Sequence, residues 1–227
     1  DVLKPLQDLA NYHRSNFDIP VLAITGSNGK TTTKELLASV LEQKFDLLFT
    51  KGNLNNHIGV PLTLLQLREN HDFALIEMGA NKKGDIRELC EITDPTHGLI
   101  TNIGLAHIEG FGSKEGVVKT KSEMYRYIIK KEGLLFVNNN EDYLLPLTEN
   151  YPHCIEYGKG TQFNFELKEN DSKLECSIED KVIKTNLFGK YNANNVLTAY
   201  LVGRKFHVES TKIVKAIEAY VPTNNRS

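Results

Sequence analysis

The segment at residues 21–32 constrains the fold of this chain more than any other part of the sequence. An apolar run rich in β-branched residues leads into the motif TGSNGKTT at 25–32, and an amphipathic pattern follows. The order of strand, tight glycine loop and helix is typical of a phosphate-binding loop that opens a parallel α/β unit. The sequence therefore predicts a strand over 21–25 and a helix over 31–43, joined by a loop that can hold a polyphosphate.

The residue types of this loop suit phosphate chemistry. Gly26 and Gly29 allow the backbone to come close and to direct N–H groups at phosphate oxygens. Lys30 can reach the outer phosphates, and Thr31 can offer its hydroxyl to Mg²⁺. The motif is shorter than a full Walker A pattern, which would place a glycine where Ile24 stands. The alternative is an ordinary glycine-containing turn between a strand and a helix.

Composition and charge narrow the class of protein. A formal net charge of −2 and a hydrophobic content of 40% are ordinary for a soluble globular chain, and they provide no basic field for nucleic acid. Cys90, Cys154 and Cys176 are far apart, so we expect neither a disulfide framework nor a cysteine metal site. No apolar stretch approaches the ~20 residues that span a bilayer. The chain starts at Asp1 rather than Met, and we expect it to be part of a longer protein.

The pattern along the chain alternates between helices and strands. Helices are predicted over 3–14, 31–43, 59–67, 84–92, 114–131, 142–149, 192–205 and 211–219. Strands are predicted over 21–25, 47–50, 73–78, 98–103, 134–138 and 154–157. This alternation predicts an α/β fold with a doubly wound, mostly parallel sheet flanked by helices. The segment 161–185 instead alternates with period two, which predicts a small antiparallel β appendage, over about 155–188, on a single domain.

Further candidate site residues follow predicted strand ends, where open α/β sheets bind ligands. Glu77 can face a phosphate-bound Mg²⁺ or can be a solvated strand-end residue. His107 follows a strand, although a lone histidine is more often structural than a ligand. Lys121 lies in the next helix, and spacing alone does not separate it from Lys114 or Lys119.

Two asparagine-rich segments have two possible interpretations each. The side chains of Asn53, Asn55, Asn56 and His57 can recognise a polar ligand, or the segment can simply form turns, because asparagine tolerates left-handed backbone conformations. The segment 189–195 carries further asparagines immediately before a predicted helix. These can contact a ligand or can serve as the helix N-cap.

Six motifs occur in order along nearly the whole chain: TGSNGKTTTKELL, NLNNHIGVPLTLL, IEMGANKKGDI, TNIGLAHIEGFGSKEGVVKTKSEMY, GKYNANNVLTA and VPTNNRS. Together they resemble the central ATP-binding domain of the Mur ligase family. The segments EMGA and AHIEGFGS most resemble the members of that family that add D-alanyl-D-alanine.

The resemblance implies an ATP-dependent amide ligase of bacterial peptidoglycan precursor synthesis that works in the cytoplasm as a monomer. ATP phosphorylates the terminal carboxylate of a UDP-N-acetylmuramoyl tripeptide, and the amine of D-alanyl-D-alanine displaces phosphate from the acyl phosphate. The activation is needed because a carboxylate is a poor acyl donor. Two Mg²⁺ ions offset the charge where triphosphate and carboxylate meet.

The resemblance also implies roles for particular residues. Those implied for ATP are the loop residues Gly26, Ser27, Asn28, Gly29, Lys30, Thr31 and Thr32, Asn192 and Asn195 at the adenine, and Arg226 near the γ-phosphate. Those implied for magnesium are Thr31, Glu77, His107 and a carbamylated Lys121. Those implied for the muramoyl peptide are Asn53, Asn55, Asn56, His57, Thr101 and Asn102. The implied catalytic residues are Lys30, Lys121, His107 and Arg226.

The family's N-terminal domain, which binds the UDP end of the substrate, and its C-terminal domain, which closes over ATP, have no counterpart in these 227 residues. We therefore expect this chain to bind nucleotide and to catalyse nothing alone. The alternatives are a related ligase, such as folylpolyglutamate synthase or a diaminopimelate- or lysine-adding enzyme, and a non-catalytic nucleotide-binding module. The segment EMGA argues against the related ligases. A GTPase is disfavoured because no Asn-Lys-x-Asp segment is present.

Overall fold

A six-stranded sheet forms the centre of the molecule, and the computed structural model describes residues 2–104, 111–168 and 173–222. The strands are β1 (Val21–Thr25), β2 (Leu47–Phe49), β3 (Phe73–Glu77), β4 (His97–Ile100), β5 (Leu134–Asn138) and β6 (Cys154–Tyr157). They lie in the order β2-β3-β1-β4-β5-β6, and every neighbouring pair is parallel. The strand order reverses between β1 and β4, and such switch points are where open α/β sheets bind ligands.

Helices cover both faces of this sheet. They are α1 (Leu3–Ser15), α2 (Lys30–Leu41), α3 (Gly59–Leu64), α4 (Asp85–Thr93), α5 (Lys114–Lys130), α6 (Leu145–Thr148), α7 (Asn192–Lys205) and α8 (Ser210–Ala219). Helices α2, α7 and α8 pack on one face, and α1, α3, α4 and α5 pack on the other. No helix in the described parts of the chain is both long enough and apolar enough to cross a bilayer.

The two faces explain why the central strands are continuous apolar runs. Along β1, Leu22 and Ile24 belong to the core under α2 and α7, whereas Val21 and Ala23 belong to the core under α4 and α5. Successive side chains of a strand point to opposite faces, so a strand covered on both sides needs apolar residues at every position. The predicted doubly wound parallel sheet is confirmed.

The predicted β appendage is also confirmed, with narrower bounds. It consists of β7 (Phe165–Leu167), β8 (Glu175–Ile178) and β9 (Lys181–Lys184), paired antiparallel in that order. The predicted appendage began too early, because β6 pairs with β5 in the main sheet. The sequence between β7 and β8 includes Asn-Asp-Ser at 170–172, residues typical of a turn, and these lie outside the described residues.

Several predicted ends differ from the structure for local reasons. The helix predicted over 142–149 is only the four residues of α6, and Pro146 occupies its first turn, the one part of a helix that tolerates proline. The strand predicted over 98–103 is β4 at His97–Ile100. It ends before Thr101, where the Thr101 hydroxyl and the Asn102 side-chain amide both donate to the Asn28 carbonyl in the loop after β1.

Candidate active site

The loop after β1 turns sharply at its two glycines. Gly26 has φ +148° and Gly29 has φ +73°, and Gly29 is the N-cap of α2. A Cβ atom on Gly26 would lie 2.0 Å from Thr101 Oγ1, and one on Gly29 would lie 2.9 Å from Asn195 Oδ1. Glycine is therefore required at both positions by backbone conformation and by space.

The end of β4 holds this loop in place. The backbone N–H of Asn28 donates to Asn102 Oδ1 at 2.9 Å, and the N–H of Ser27 donates to the Asn102 carbonyl at 3.0 Å. The Thr101 hydroxyl donates to the Asn28 carbonyl at 2.7 Å. Thr101 and Asn102, which the sequence placed at the peptide substrate, thus build the loop from the neighbouring strand.

A cleft of about 610 Å³ opens beside the loop at the start of α2. Its lining residues are Ser27, Asn28, Gly29, Lys30, Thr31, Thr32, Asn102, Tyr191, Asn192 and Asn195. The volume is within the range of ligand pockets, and the first turn of a helix has N–H groups without intrahelical partners and a partial positive charge. The cleft is therefore suited to a polar, anionic ligand.

Lys30 lies over the loop at this cleft. Its Nζ donates to the carbonyls of Gly26 at 2.8 Å and Ser27 at 3.1 Å. The ammonium group is held within the turn that a phosphate would enter, as the glycine-lysine motif predicts.

The far side of the cleft is formed by the start of α7. Asn195 accepts from the Thr33 hydroxyl at 3.0 Å and donates to Asn192 Oδ1 at 2.8 Å, and Asn192 donates to the Phe188 carbonyl at 2.6 Å. Both amides are buried and used within the protein, so their contact with adenine stays a prediction. Sequence reasoning missed Tyr191, which lines the cleft and is 62% exposed. An aromatic residue next to the asparagines of a polar segment was the available signal.

Glu77 lies at the carboxyl end of β3 and is completely buried. Its Oε1 accepts from the Thr31 hydroxyl at 3.3 Å and from Asn55 Nδ2 at 2.8 Å. Its Oε2 lies 3.4 Å from Lys34 Nζ and accepts no hydrogen bond from the described residues. Sequence reasoning missed Lys34, although its position four residues after Lys30, a spacing that places two side chains on the same face of a helix, was a signal.

This corner of the site fits Mg²⁺. A buried carboxylate with an unsatisfied oxygen and a neighbouring hydroxyl are the hard oxygen donors that Mg²⁺ prefers. The described residues contain no group of three or more histidine, cysteine or acidic side chains that could hold a metal without other ligands. Mg²⁺ commonly binds through one or two protein oxygens together with phosphates and water, so two donors suit a metal that arrives with a nucleotide.

The structure separates Lys121 from the other lysines of its helix. Lys121 is 3% exposed, whereas Lys119 is exposed and Lys114 is half-buried. Burial, and then the positive charge of Lys30, lowers the pKa of Lys121 to about 8. The two ammonium groups are therefore close enough to repel each other, although they come from different helices.

The segment 53–57 is partly used to build the fold. Asn55 donates to Glu77, and Asn56 Oδ1 accepts the N–H of Gly59 at 2.9 Å, at the start of α3. His57 Nε2 lies 3.0 Å from Glu88 Oε2. Asn53 is exposed. His107 and Arg226 lie outside the described residues.

The fold is an α/β domain with a glycine loop at the switch point of its sheet, and comparison with known proteins identifies the family to which such a domain belongs. The Mur ligase middle domain matches residues 24–203. The chain is 35% identical, over 100% of its length and 50% of the relative's, to UDP-N-acetylmuramoyl-tripeptide–D-alanyl-D-alanine ligase from Bacillus subtilis. The chain therefore belongs to the Mur ligase family, and it spans about half the length of this curated relative.

Solved structures give the same result. The crystal structure of MurF from Acinetobacter baumannii superposes with a TM-score of 0.92 at 32% identity, covering 100% of this chain and 51% of that one. MurF ligase from Thermotoga maritima, solved in complex with ADP, superposes with a TM-score of 0.84 at 25% identity, covering 100% of this chain and 54% of that one. The resemblance to the Mur ligase family is confirmed.

Proposed function

We propose that this chain is the ATP-binding domain of a ligase that adds D-alanyl-D-alanine to a UDP-N-acetylmuramoyl tripeptide in the bacterial cytoplasm. The observation that carries the proposal is the hydrogen bond between Thr31 and Glu77 beside the glycine loop and Lys30, at the switch point of a Mur ligase domain. The buried Lys121, whose pKa the charge of Lys30 helps to lower, supports the proposal. The name of the Bacillus subtilis relative supports this acceptor and this donor. A nucleotide-binding module without turnover is the competing interpretation.

In this proposal the glycine loop and Lys30 bind the phosphates of ATP. The cleft is continuous from the loop to Tyr191, Asn192 and Asn195, so the base lies on the α7 side. An exposed tyrosine ring offers a flat surface on which a purine can stack. Arg226, which the resemblance places near the γ-phosphate, completes the set.

Thr31 and Glu77 would hold one Mg²⁺, and His107 and Lys121 would support a second. Bound there, the ions supply positive charge that offsets the repulsion between triphosphate and carboxylate. The carboxylate oxygen of the tripeptide forms a bond to the γ-phosphorus as the bond to ADP breaks. The amine then forms the amide bond as phosphate leaves and the amine proton is lost to solvent.

Lys121 has the properties that carbamylation requires. With its pKa lowered to about 8, a substantial fraction of the amine is neutral near pH 7.5. The neutral nitrogen can attack the carbon of CO₂ and lose a proton, which leaves a carbamate anion in place of a cation. An anion here would favour the second metal, whereas the unmodified ammonium would repel it.

The six residues implied for the muramoyl peptide all lie near it in this proposal, but they have two different roles. The side chains of Asn53 and His57 are assigned to direct contact with the muramoyl peptide, because the side-chain bonds that tie this loop to Glu77 and to the start of α3 come from Asn55 and Asn56. Asn55, Asn56, Thr101 and Asn102 act by shaping the loops around it.

The test compares this chain with a protein of its relatives' full length. Each protein is incubated with ATP, the UDP-muramoyl tripeptide and D-alanyl-D-alanine at millimolar concentration. Phosphate release is measured, and the UDP-muramoyl pentapeptide product is detected by mass spectrometry. Ligation needs reacting atoms held within about 3–3.5 Å, and we propose that further domains supply part of that geometry. We expect product from the longer protein and none from this chain. Absence of product from the longer protein would refute the proposal.

Lys121 gives a sharper second test in the longer protein. Lys121→Ala should abolish ligation, and a small added carboxylate should partly restore it by replacing the missing anion. Lys119→Ala is the matched control, since that side chain is exposed on the same helix. Near-normal turnover in Lys121→Ala, with loss in Lys119→Ala, would contradict the assignment.

A further inference from the structure

The buried ion pair of Lys34 and Glu77 is not used by the mechanism above. Each side chain is 1% exposed, and Lys34 Nζ lies 3.4 Å from Glu77 Oε2. Burying two charges is costly, and the pair is often no more stable than apolar residues of the same size. A buried lysine beside a carboxylate that fits a metal therefore calls for an explanation beyond stability.

Lys34 also connects Glu77 to the loop at residues 52–55. Its Nζ donates to the Gly52 carbonyl at 2.9 Å, and Asn55 Nδ2, three residues later, donates to Glu77 Oε1 at 2.8 Å. The N–H of Gly79, just after β3, donates to the Asn55 carbonyl at 2.7 Å. The loop is thus tied at one end to Lys34 and at the other to Glu77, whose carboxylate accepts from the cleft residue Thr31.

We propose that Lys34 is a positioning residue that acts through Glu77. It supplies the positive charge that balances Glu77 when no metal is bound, and it links the metal position to the loop at 52–55. This inference rests on the proposed function, because it assumes that Glu77 and Thr31 face Mg²⁺ with a nucleotide.

The charges predict an order of binding. Mg²⁺ alone meets a carboxylate that already has a cation beside it, and the like charges of Mg²⁺ and Lys34 repel each other at short range. A triphosphate adds negative charge that offsets this repulsion. Because of Lys34, the site should therefore bind Mg²⁺ together with a nucleotide and should bind Mg²⁺ alone only weakly.

The experiment measures binding of MgCl₂ alone to this chain by thermal shift and calorimetry. Lys34→Met should unfold at a lower temperature without metal, because Glu77 is left buried and unpaired. Mg²⁺ should raise the Tm of Lys34→Met much more than that of the wild type, with affinity tighter by at least about tenfold. Lys51→Met, which removes an exposed lysine next to the loop, should match the wild type.

Two further variants separate this role from a merely structural one. The double variant Lys34→Met, Glu77→Gln removes both charges, so it should regain much of the lost Tm and show no response to Mg²⁺. Lys34→Arg keeps the charge and should keep the weak wild-type response to Mg²⁺. It also serves as the test if Lys34→Met fails to fold, since a tenfold tighter Mg²⁺ affinity in Lys34→Arg would overturn the proposal.

Hydrogen exchange tests the link to the loop. The amides of residues 52–55 should exchange faster in Lys34→Met and in Asn55→Ala, and unchanged exchange in both variants would overturn the link. An equal Mg²⁺ response in Lys34→Met and the wild type would overturn the charge-balancing role. Neither readout needs ligation, so a failure of the ligase proposal would appear separately, as absent product with these metal responses intact.

Discussion

The carboxyl edge of the main sheet and the small antiparallel sheet bury opposite kinds of side chain. The edge buries Thr25, Ser27, Thr33, Lys34, Glu77, Thr101, Asn192 and Asn195. The small sheet and its flanks bury Leu174, Cys176, Ile178, Ile183 and Leu187. Among the described residues the small sheet and its flanks bury one polar side chain, Thr185, so the desolvation cost of polar groups falls mainly on the edge.

This difference separates the region that binds ligand from the region that stabilises the fold. Most buried polar groups at the edge have specific partners, as when the Thr25 hydroxyl donates to the Met78 carbonyl at 2.8 Å. Such networks orient side chains while contributing little net stability. The small sheet stabilises the core under α2 and α7 by apolar burial. Substitutions at the edge should therefore change ligand binding, whereas those in the packed regions should change unfolding.

The largest expected effect is on the packing side. Ile183→Ala removes a completely buried side chain of β9 and should lower the free energy of unfolding by about 2–5 kcal/mol. ATP affinity at a temperature where the variant is folded should stay unchanged. Denaturant unfolding measures the free energy of unfolding, and calorimetry measures the ATP affinity. The neighbouring Val182 is 40% exposed, so Val182→Ala is the control, and its free energy of unfolding should be within about 1 kcal/mol of the wild type. A large loss of ATP affinity in Ile183→Ala would contradict the separation of ligand binding from fold stability.

A second packing effect depends on pH. Burial, and then the charge of Lys205, lowers the pKa of His97 from 6.5 to about 4. In the unfolded chain His97 is therefore protonated below about pH 6.5, whereas in the folded chain it stays neutral until the pH falls to about 4. The free energy of unfolding should fall by roughly 3 kcal/mol as the pH drops through this window.

Denaturant unfolding between pH 7 and pH 4 checks this expectation. His97→Gln should lose most of this pH dependence, whereas His207→Asn, at an exposed position, should keep it. The same pH slope in His97→Gln and the wild type would show that another group is responsible.

The expected effect at the edge is on binding. Lys30→Ala should weaken ATP binding by about 1.5–3 kcal/mol, roughly 10- to 150-fold, because a charged donor to the outer phosphates is lost. AMP, which lacks those phosphates, should lose much less. Calorimetry with both nucleotides measures the difference, and Lys119→Ala provides an exposed control. Equal losses for ATP and AMP would mean that Lys30 contacts some other part of the ligand.

Local features of the fold were predictable from the sequence. β1 has the predicted bounds, and α2 begins at Lys30, one residue earlier than expected, because Gly29 in a left-handed conformation forms its N-cap. These elements depend on neighbours in the chain, where periodicity and turn chemistry are informative.

Contacts between distant segments were not predictable in this way. The bonds from Thr101 and Asn102 to the glycine loop, and the pair of Lys34 and Glu77, depend on β1 lying between β3 and β4. Periodicity predicts strands but does not give their order in a sheet. Lys121 was singled out by family resemblance, because only the packing of α5 on the sheet shows which lysine is buried.

We propose that the carboxyl edge of the main sheet binds ATP through its phosphates together with Mg²⁺. Calorimetric titration of the chain with ATP and GTP, each with and without Mg²⁺, tests it most directly. We expect ATP to bind more tightly than GTP and to require Mg²⁺ for its full affinity, because Thr31 and Glu77 contribute only through the metal. Equal or tighter binding of GTP, or ATP binding that is indifferent to Mg²⁺, would contradict the account.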